Sequence, residues 1–342
     1  MSFKSVAVLT CKPFWAGFSI LSFVLLFLLL PGCVREEKIA AINAEQIPLR
    51  DKVVTGYVTG KDGVQLYIRI EGTGTPTIVL PGGPGYSFDY LAPVLSPLDS
   101  LAQFIFLDPR GCGRSQGFRN PDMYNLKEMV ADVESVRSVL RIQQLDIIGH
   151  ETGGMLAQEY AVRYPQHVNK MIIMSAPARV PDDFNVWLNQ MRDFMPRQIT
   201  AIVKSYEQDS LIIGDRYNPG YDDAVMKGLL IPNYFSSPYA VPQNFSLPER
   251  SWPVFFAMWG RNGYFDITGN LKDFDTRDDL KTLNVKTLAL VGQNDYISRF
   301  VMEALVESIP KAKLYEFENT GHEFFIEHKD EFLKVVSEFM EK

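Results

Sequence analysis

The chain has 342 residues, 46% of them apolar and 22% charged, with a formal charge of −7 spread along its length. That composition is ordinary for a folded globular protein, and the lack of a basic stripe argues against a nucleic-acid partner. With an N-terminal prefix set aside, the remainder suits one α/β domain with an insertion, or two small domains, and is long enough to bury a large core.

The prefix comes first. Lys4 and Lys12 give it a positive start without an acid, 14–30 is uncharged and strongly apolar, and Leu30-Pro31-Gly32-Cys33 follows. Residues 1–33 resemble the bacterial lipoprotein signal, although Pro31 departs from its pattern. That resemblance implies that Cys33 is lipidated and becomes the new N-terminus. The alternative is an uncleaved anchor helix, since 14–30 lies at the short end of a membrane span. Either would hold the folded part in the bacterial cell envelope, outside the cytoplasmic membrane, on the polar tether 34–52. Cys11 and Cys33 belong to the prefix, so Cys112 stands alone in the remainder and has no partner there for a disulfide. With no histidine or second cysteine near it in sequence, it reads as a space-filler beside a turn.

From 53 onward, short β-rich runs alternate with helical patterns, which predicts a mostly parallel sheet with helices on both faces. Residues 53–59 and 64–71 read as strands around Gly60-Lys61-Asp62-Gly63, whose Asp-Gly pair signals a hairpin. Strands 77–80 and 104–107 follow, each ended by a glycine- and proline-bearing turn. Met129, Val133, Val136, Val139 and Leu140 at helical spacing predict a helix over 126–140. A strand at 145–148, a helix at 155–164 ended by Pro165 and a strand at 170–175 come next. Over 176–268 the rhythm breaks. Prolines accumulate there with Trp187, Trp252, Trp259, Tyr217, Tyr221, Tyr234 and Tyr239, and the stretch reads as a mainly helical cap. Alternation resumes with a strand at 287–291, a helix at 300–308, a strand at 313–317 and a closing helix at 324–340. The sheet core is therefore expected over 53–175 and 269–342.

Three strand ends carry residue types useful for hydrolysis. In Ile148-Gly149-His150-Glu151-Thr152-Gly153-Gly154, glycines two before and two after Glu151 permit a sharp strand-to-helix turn that lifts the central side chain above the sheet. Val291-Gly292-Gln293-Asn294-Asp295 sets a carboxylate just beyond a strand, and Asn319-Thr320-Gly321-His322 sets an imidazole beyond the last one. Elbow residue, acid and histidine follow one another in the order of a known triad arrangement.

Taken with Gly82-Gly83-Pro84-Gly85 and Asp108-Pro109-Arg110-Gly111-Cys112-Gly113-Arg114-Ser115, these segments make 53–342 similar to the α/β-hydrolase superfamily, and more narrowly to its proline iminopeptidase and epoxide-hydrolase branch. The resemblance implies an eight-stranded, mostly parallel sheet with an inserted helical cap. It implies that Asp295 orients His322, that His322 is the general base, and that the backbone N–H groups of Gly83 and Thr152 form an oxyanion hole. It implies neither a cofactor nor a metal. The 108–115 run reads as structural, an arginine bracing turns beneath the site.

Two residues depart from the family. Pro81 stands where a histidine usually precedes Gly-Gly-Pro-Gly, and Glu151 stands where the nucleophilic serine usually sits. A carboxylate is already ionised at neutral pH, and a helix N-terminus favours that form. The plainest reading is a favourable first-turn charge, and three functional readings stay open beside it. Glu151 is a nucleophile, like the aspartate with which relatives attack epoxides or halides, although Thr152 replaces the tryptophan of the dehalogenases. Or it is a general base acting on water. Or catalysis has lapsed and the pocket binds a ligand, a charge in the oxyanion hole barring carbonyl substrates. The cap lacks a Trp-x-x-Trp-Glu run, and Asp209, Asp215, Asp222 and Glu249 read as solvated surface acids. An aromatic cap suits a mostly apolar small molecule or a short peptide end. Nothing in the pattern speaks to oligomeric state.

Overall fold

A computed structural model describes residues 53–341 apart from 181–187, 190, 194, 231–234, 238–240 and 243–247. The prefix 1–33 with Cys33, the tether 34–52, and Trp187, Tyr234 and Tyr239 of the cap therefore lie outside the described residues. Two antiparallel strands open the sheet, β1 (Val54–Thr59) and β2 (Gln65–Gly72), in the register Thr59 opposite Gln65. The Asp-Gly turn between them closes through the Gly60 N–H on the Val64 carbonyl at 2.7 Å. β3 (Thr75–Leu80), β4 (Ala102–Leu107), β5 (Leu145–His150), β6 (Val168–Met174), β7 (Lys286–Gly292) and β8 (Ala312–Phe317) complete eight strands in the order β1-β2-β4-β3-β5-β6-β7-β8. β2 meets β4 antiparallel, and every pairing from β4 to β8 is parallel.

The strand period of two divides the core. Ile78, Ile105, Ile147 and Ile173 join one apolar cluster, while their neighbours Val79, Phe106, Ile148 and Ile172 join the other. Helices α1 (Leu126–Val139) and α2 (Thr152–Arg163) cover the first face through Val133, Val136, Leu156 and Tyr160. Asn125 caps α1 by accepting the Glu128 N–H. Because both faces are covered, the central strand β5 is buried along its whole length. The cap stretch adds no strand to this sheet among the described residues. It holds α3 (Arg197–Asp209), α4 (Trp252–Met258) and a small ribbon of Ile212–Ile213 with Arg216–Tyr217.

After α5 (Arg299–Ser308), the closing helix departs from the sequence expectation. It is interrupted at His328 into α6 (Phe324–Glu327) and α7 (Lys329–Glu341). The break leaves the short first segment to bury Phe324 and Phe325 and to carry Glu327 back toward the sheet, where its carboxylate accepts the Gly321 N–H at 2.6 Å. α7 then packs Phe332 and Val336 on the second face.

The 108–115 run holds two braces. Arg110, only 1% exposed, donates to both oxygens of Asp132 at 2.7 Å and to Asp62 at 3.0 Å, tying the first hairpin turn to α1. Arg114 donates to Asp108 at 2.9 Å. Cys112 is buried, and burial pushes its thiol pKa well up, as suits an inert filler. No helix among the described residues is long and apolar enough to cross a membrane.

Candidate active site

β5 ends at His150 and α2 begins at Thr152, so Glu151 makes the turn alone, at φ 46° and ψ −117°. Positive φ is costly for a residue with a side chain, and here it lifts the carboxyl group over the sheet. The flanking glycines are required by contact. A Cβ on Gly149 would lie 2.3 Å from the Gly153 carbonyl oxygen, and one on Gly153 would lie 2.2 Å from that of Leu80.

The loops after β3, β7 and β8 converge on this carboxylate. Gly83 donates its N–H to Glu151 Oε2 at 2.9 Å. His322 sets Nε2 3.1 Å from Glu151 Oε1 and Nδ1 2.8 Å from Asp295 Oδ1. Asp295 is itself fixed, accepting the Ile297 N–H at 2.8 Å and the Ser175 hydroxyl at 2.6 Å. Elbow side chain, acid and imidazole, far apart in sequence, are thus brought into one hydrogen-bonded line. Thr152 is the first residue of α2, so its N–H has no acceptor within the helix. Of the expected hole, the Gly83 donor is taken by the carboxylate itself.

The fully buried imidazole lies between two carboxylates, and the charges set one another. Burial alone would lower the His322 pKa, but the Asp295 charge, with Glu151 behind it, raises it well above the ordinary histidine range. Burial would raise that of Glu151, but the His322 contact overrides it and holds the carboxyl at about 2. Glu151 and His322 thus each favour the charged form of the other.

Sequence reasoning missed several members. The Tyr296 hydroxyl donates to Glu151 Oε1 and lies 3.5 Å from His322 Nε2. The Tyr90 hydroxyl accepts the Gly82 N–H at 2.8 Å and bonds His150 Nδ1 at 2.7 Å, so it links the β3 loop to the elbow. Burial keeps His150 neutral, with its pKa down at about 3. Glu323, beside His322, is buried and pushed up to about 8. Adjacency to the motif residues would have flagged His150, Tyr296 and Glu323, whereas nothing local marks Tyr90 or Ser175. Among the described residues, one trio has metal-ligand spacing: His150, Glu151 and His322 offer atoms within 4.8 Å of one another. Glu151 and His322 are bonded to Gly83, Asp295 and each other, and His150 Nδ1 to Tyr90, while the buried His150 Nε2 has no hydrogen-bond partner.

A cavity opens over Glu151, walled by Met155, Val180, Phe255, Trp259, Phe265 and Ile267, with Arg250 beside Tyr86 and Tyr264. Asp209, Asp215 and Glu249 are exposed, as expected, whereas Asp222 is half-buried and accepts the Tyr264 hydroxyl.

An elbow on β5, an acid after β7 and a histidine after β8, over a sheet of this order, define the α/β-hydrolase class of protein. Residues 75–329 match the family described as alpha/beta hydrolase fold, and the chain belongs to it. Within that family it falls in the proline iminopeptidase-like branch. The proline iminopeptidase of Saccharolobus solfataricus is 30% identical over 292 residues, which cover 82% of this chain and 90% of the relative. That of Thermoplasma volcanium is 28% identical over 305 residues, covering 84% and 96%. The crystal structure of the Mycobacterium smegmatis proline iminopeptidase is similar with a TM-score of 0.69 at 23% identity, covering 84% of this chain and 98% of that one. VinJ gives 0.70 at 21%, covering 84% and 98%. At those identities the two structures speak for the fold.

Proposed function

We propose that the protein is a hydrolase in which Glu151 attacks carbon directly, acting on a small, mostly apolar molecule with an electrophilic saturated carbon, such as an epoxide. The observation that carries this reading is the Gly83 N–H on Glu151 Oε2. An ester or amide would need that donor for its own carbonyl oxygen, so the serine-type route is closed to the resting site. A saturated carbon needs no such donor in the first step.

The charges then order the reaction. In the first step a Glu151 oxygen bonds to the substrate carbon, the epoxide C–O bond breaks, and the opened oxygen takes a proton. Ester formation removes one of the two negative charges that keep His322 protonated. The imidazole sheds its proton, which replaces the one consumed, and is left as a neutral base held by Asp295. In the second step water gives a proton to His322 and adds to the ester carbonyl, whose oxygen now lies at the Gly83 N–H. The acyl bond breaks, the diol leaves, and Glu151 returns as a carboxylate beside a protonated imidazole. Epoxide and water are consumed and one diol is formed.

A single turnover of styrene oxide in ¹⁸O-water tests this. Label is expected in the Glu151 carboxylate by peptide mass spectrometry before it reaches the diol, and His322→Gln should accumulate the alkylated Glu151. A panel of epoxides that yields neither product nor adduct removes the reading. One observation favours a second reading, ligand binding without turnover: Gly83, Tyr296 and His322 already occupy both oxygens of Glu151. That reading expects saturable binding with no reaction. Esterase activity gained by Glu151→Ser, with none in the parent, would mark a lapsed serine enzyme.

For the prefix, we propose attachment to the bacterial cell envelope through a lipid on Cys33, with an uncleaved 14–30 helix as the other route. The parent chain should partition into detergent on phase separation. Intact-mass analysis should find a lipid-bearing Cys33 as the N-terminus under the first route and the 14–30 segment still attached under the second.

A further inference from the structure

The cavity over Glu151 has a second pole. Among the described residues, Arg250 is the cation on its wall, as Glu151 is the anion, and the other side chains there are apolar or neutral. The guanidinium is held in a box of rings, with its carbon 4.4 Å from the Phe255 centroid, 5.0 Å from Tyr86 and 5.2 Å from Tyr264. One terminal nitrogen donates to the Tyr264 hydroxyl and the other to the Tyr86 hydroxyl. Rings on its flanks and phenols at its tips fix the plane of the charge.

From this arrangement we propose that the cavity takes carboxylic acids with an apolar body, seated with the carboxylate toward Arg250 and the far end at Glu151. The proposal deepens the reading of the cavity as a substrate site. Asp222 stands behind the Tyr264 hydroxyl and offsets part of the Arg250 charge, and against that two forces set the direction. A carboxylate is attracted to a guanidinium through short charged hydrogen bonds, and Glu151 repels the same group at the other end. Low-dielectric walls strengthen both effects. A neutral molecule of the same shape gains neither, and a cationic one is drawn the wrong way round. The reacting carbon of an acid is therefore delivered to the elbow by charge, while the apolar body meets Met155, Phe265 and Ile267.

Calorimetric titration of the full chain with 3-phenylpropionate, 3-phenylpropanamide and 3-phenylpropylamine tests this. The acid is expected to bind about tenfold or more tighter than the amide, the worth of one charged hydrogen-bonded contact. Arg250→Lys should keep a preference for the acid, and Arg250→Met should reduce it to about twofold or less. Equal binding of acid and amide, tighter binding of the amine, no binding of the acid, or an acid preference that survives Arg250→Met would each overturn the proposal. If Arg250→Met does not fold, the parent series and Arg250→Lys still decide it. Titration reads binding alone, so failure of the nucleophile reading is seen separately. Glu151→Gln abolishes turnover under that reading, but should hold or increase the preference for the acid, because it removes the repelling charge.

Discussion

A carboxylate at the elbow alters the imidazole opposite it. In a serine enzyme the histidine faces a neutral hydroxyl, whereas His322 faces Glu151 at 3.1 Å and Asp295 at 2.8 Å. The linkage has two signs. Glu151 is depressed from 4.5 to about 2, so its contribution to stability is complete above about pH 4.5 and lost as pH falls toward 2. His322 is raised, so its contribution is complete below its ordinary value of 6.5 and lost as pH rises through the higher folded value. Glu151→Gln should therefore cost most between about pH 4.5 and 6.5, on the order of 2–3 kcal/mol, and the gap should narrow on either side. Urea denaturation of both chains across that range measures it. The same substitution should bring the His322 pKa down, visible as an imidazole titration by NMR. At Tyr296, removing the hydroxyl in Tyr296→Phe should leave the melting temperature within a few degrees while altering the reactivity of Glu151, because one of the two donors on Oε1 is lost. The rate of ester formation on Glu151, measured under single turnover, reads that change.

At the scale of elements, the strand ends are what deliver chemistry. β3, β5, β7 and β8 are parallel or joined through parallel neighbours, so their C-terminal ends share one edge, and Gly83, Glu151, Asp295 and His322 all follow such ends. Ligands in open α/β sheets bind at that edge. Beneath it, Arg110 couples the first hairpin to α1 through Asp62 and Asp132. Breaking a buried pair leaves an uncompensated charge, so Asp132→Ala should cost about 3–5 kcal/mol in chemical denaturation. α6 buries two phenylalanines in a single turn and returns Glu327 to the His322 loop. Phe324→Ala should lose about 3–5 kcal/mol, with the His322 loop loosened, measurable as faster amide exchange at Gly321.

For the molecule as a whole, one sheet and two apolar faces account for the described fold, and all eight strands lie between 54 and 317. The cavity lies where sheet core and cap stretch meet, with Glu151 and Thr152 from one and Arg250, Phe255 and Trp259 from the other. A ligand spanning both raises the unfolding temperature by linkage, and Arg250→Met should remove that rise for an acid ligand.

Strand and helix periodicity, the two glycines around Glu151 and the order of elbow, acid and histidine are local properties, and they sufficed for the fold class and for three residues of the site. The boundaries of β5 and α2 at the elbow, and the interruption of the last helix at His328, depend on contacts that periodicity does not register. Tyr90, Ser175 and Arg250 reach the site from positions with no motif around them: Tyr90 meets His150 across 60 residues and Ser175 meets Asp295 across 120. The charge state of His322 likewise belongs to no residue alone. It comes from folding two carboxylates against one buried imidazole, which only tertiary structure accomplishes, because burial and Coulomb energy depend on distance in space and not along the chain.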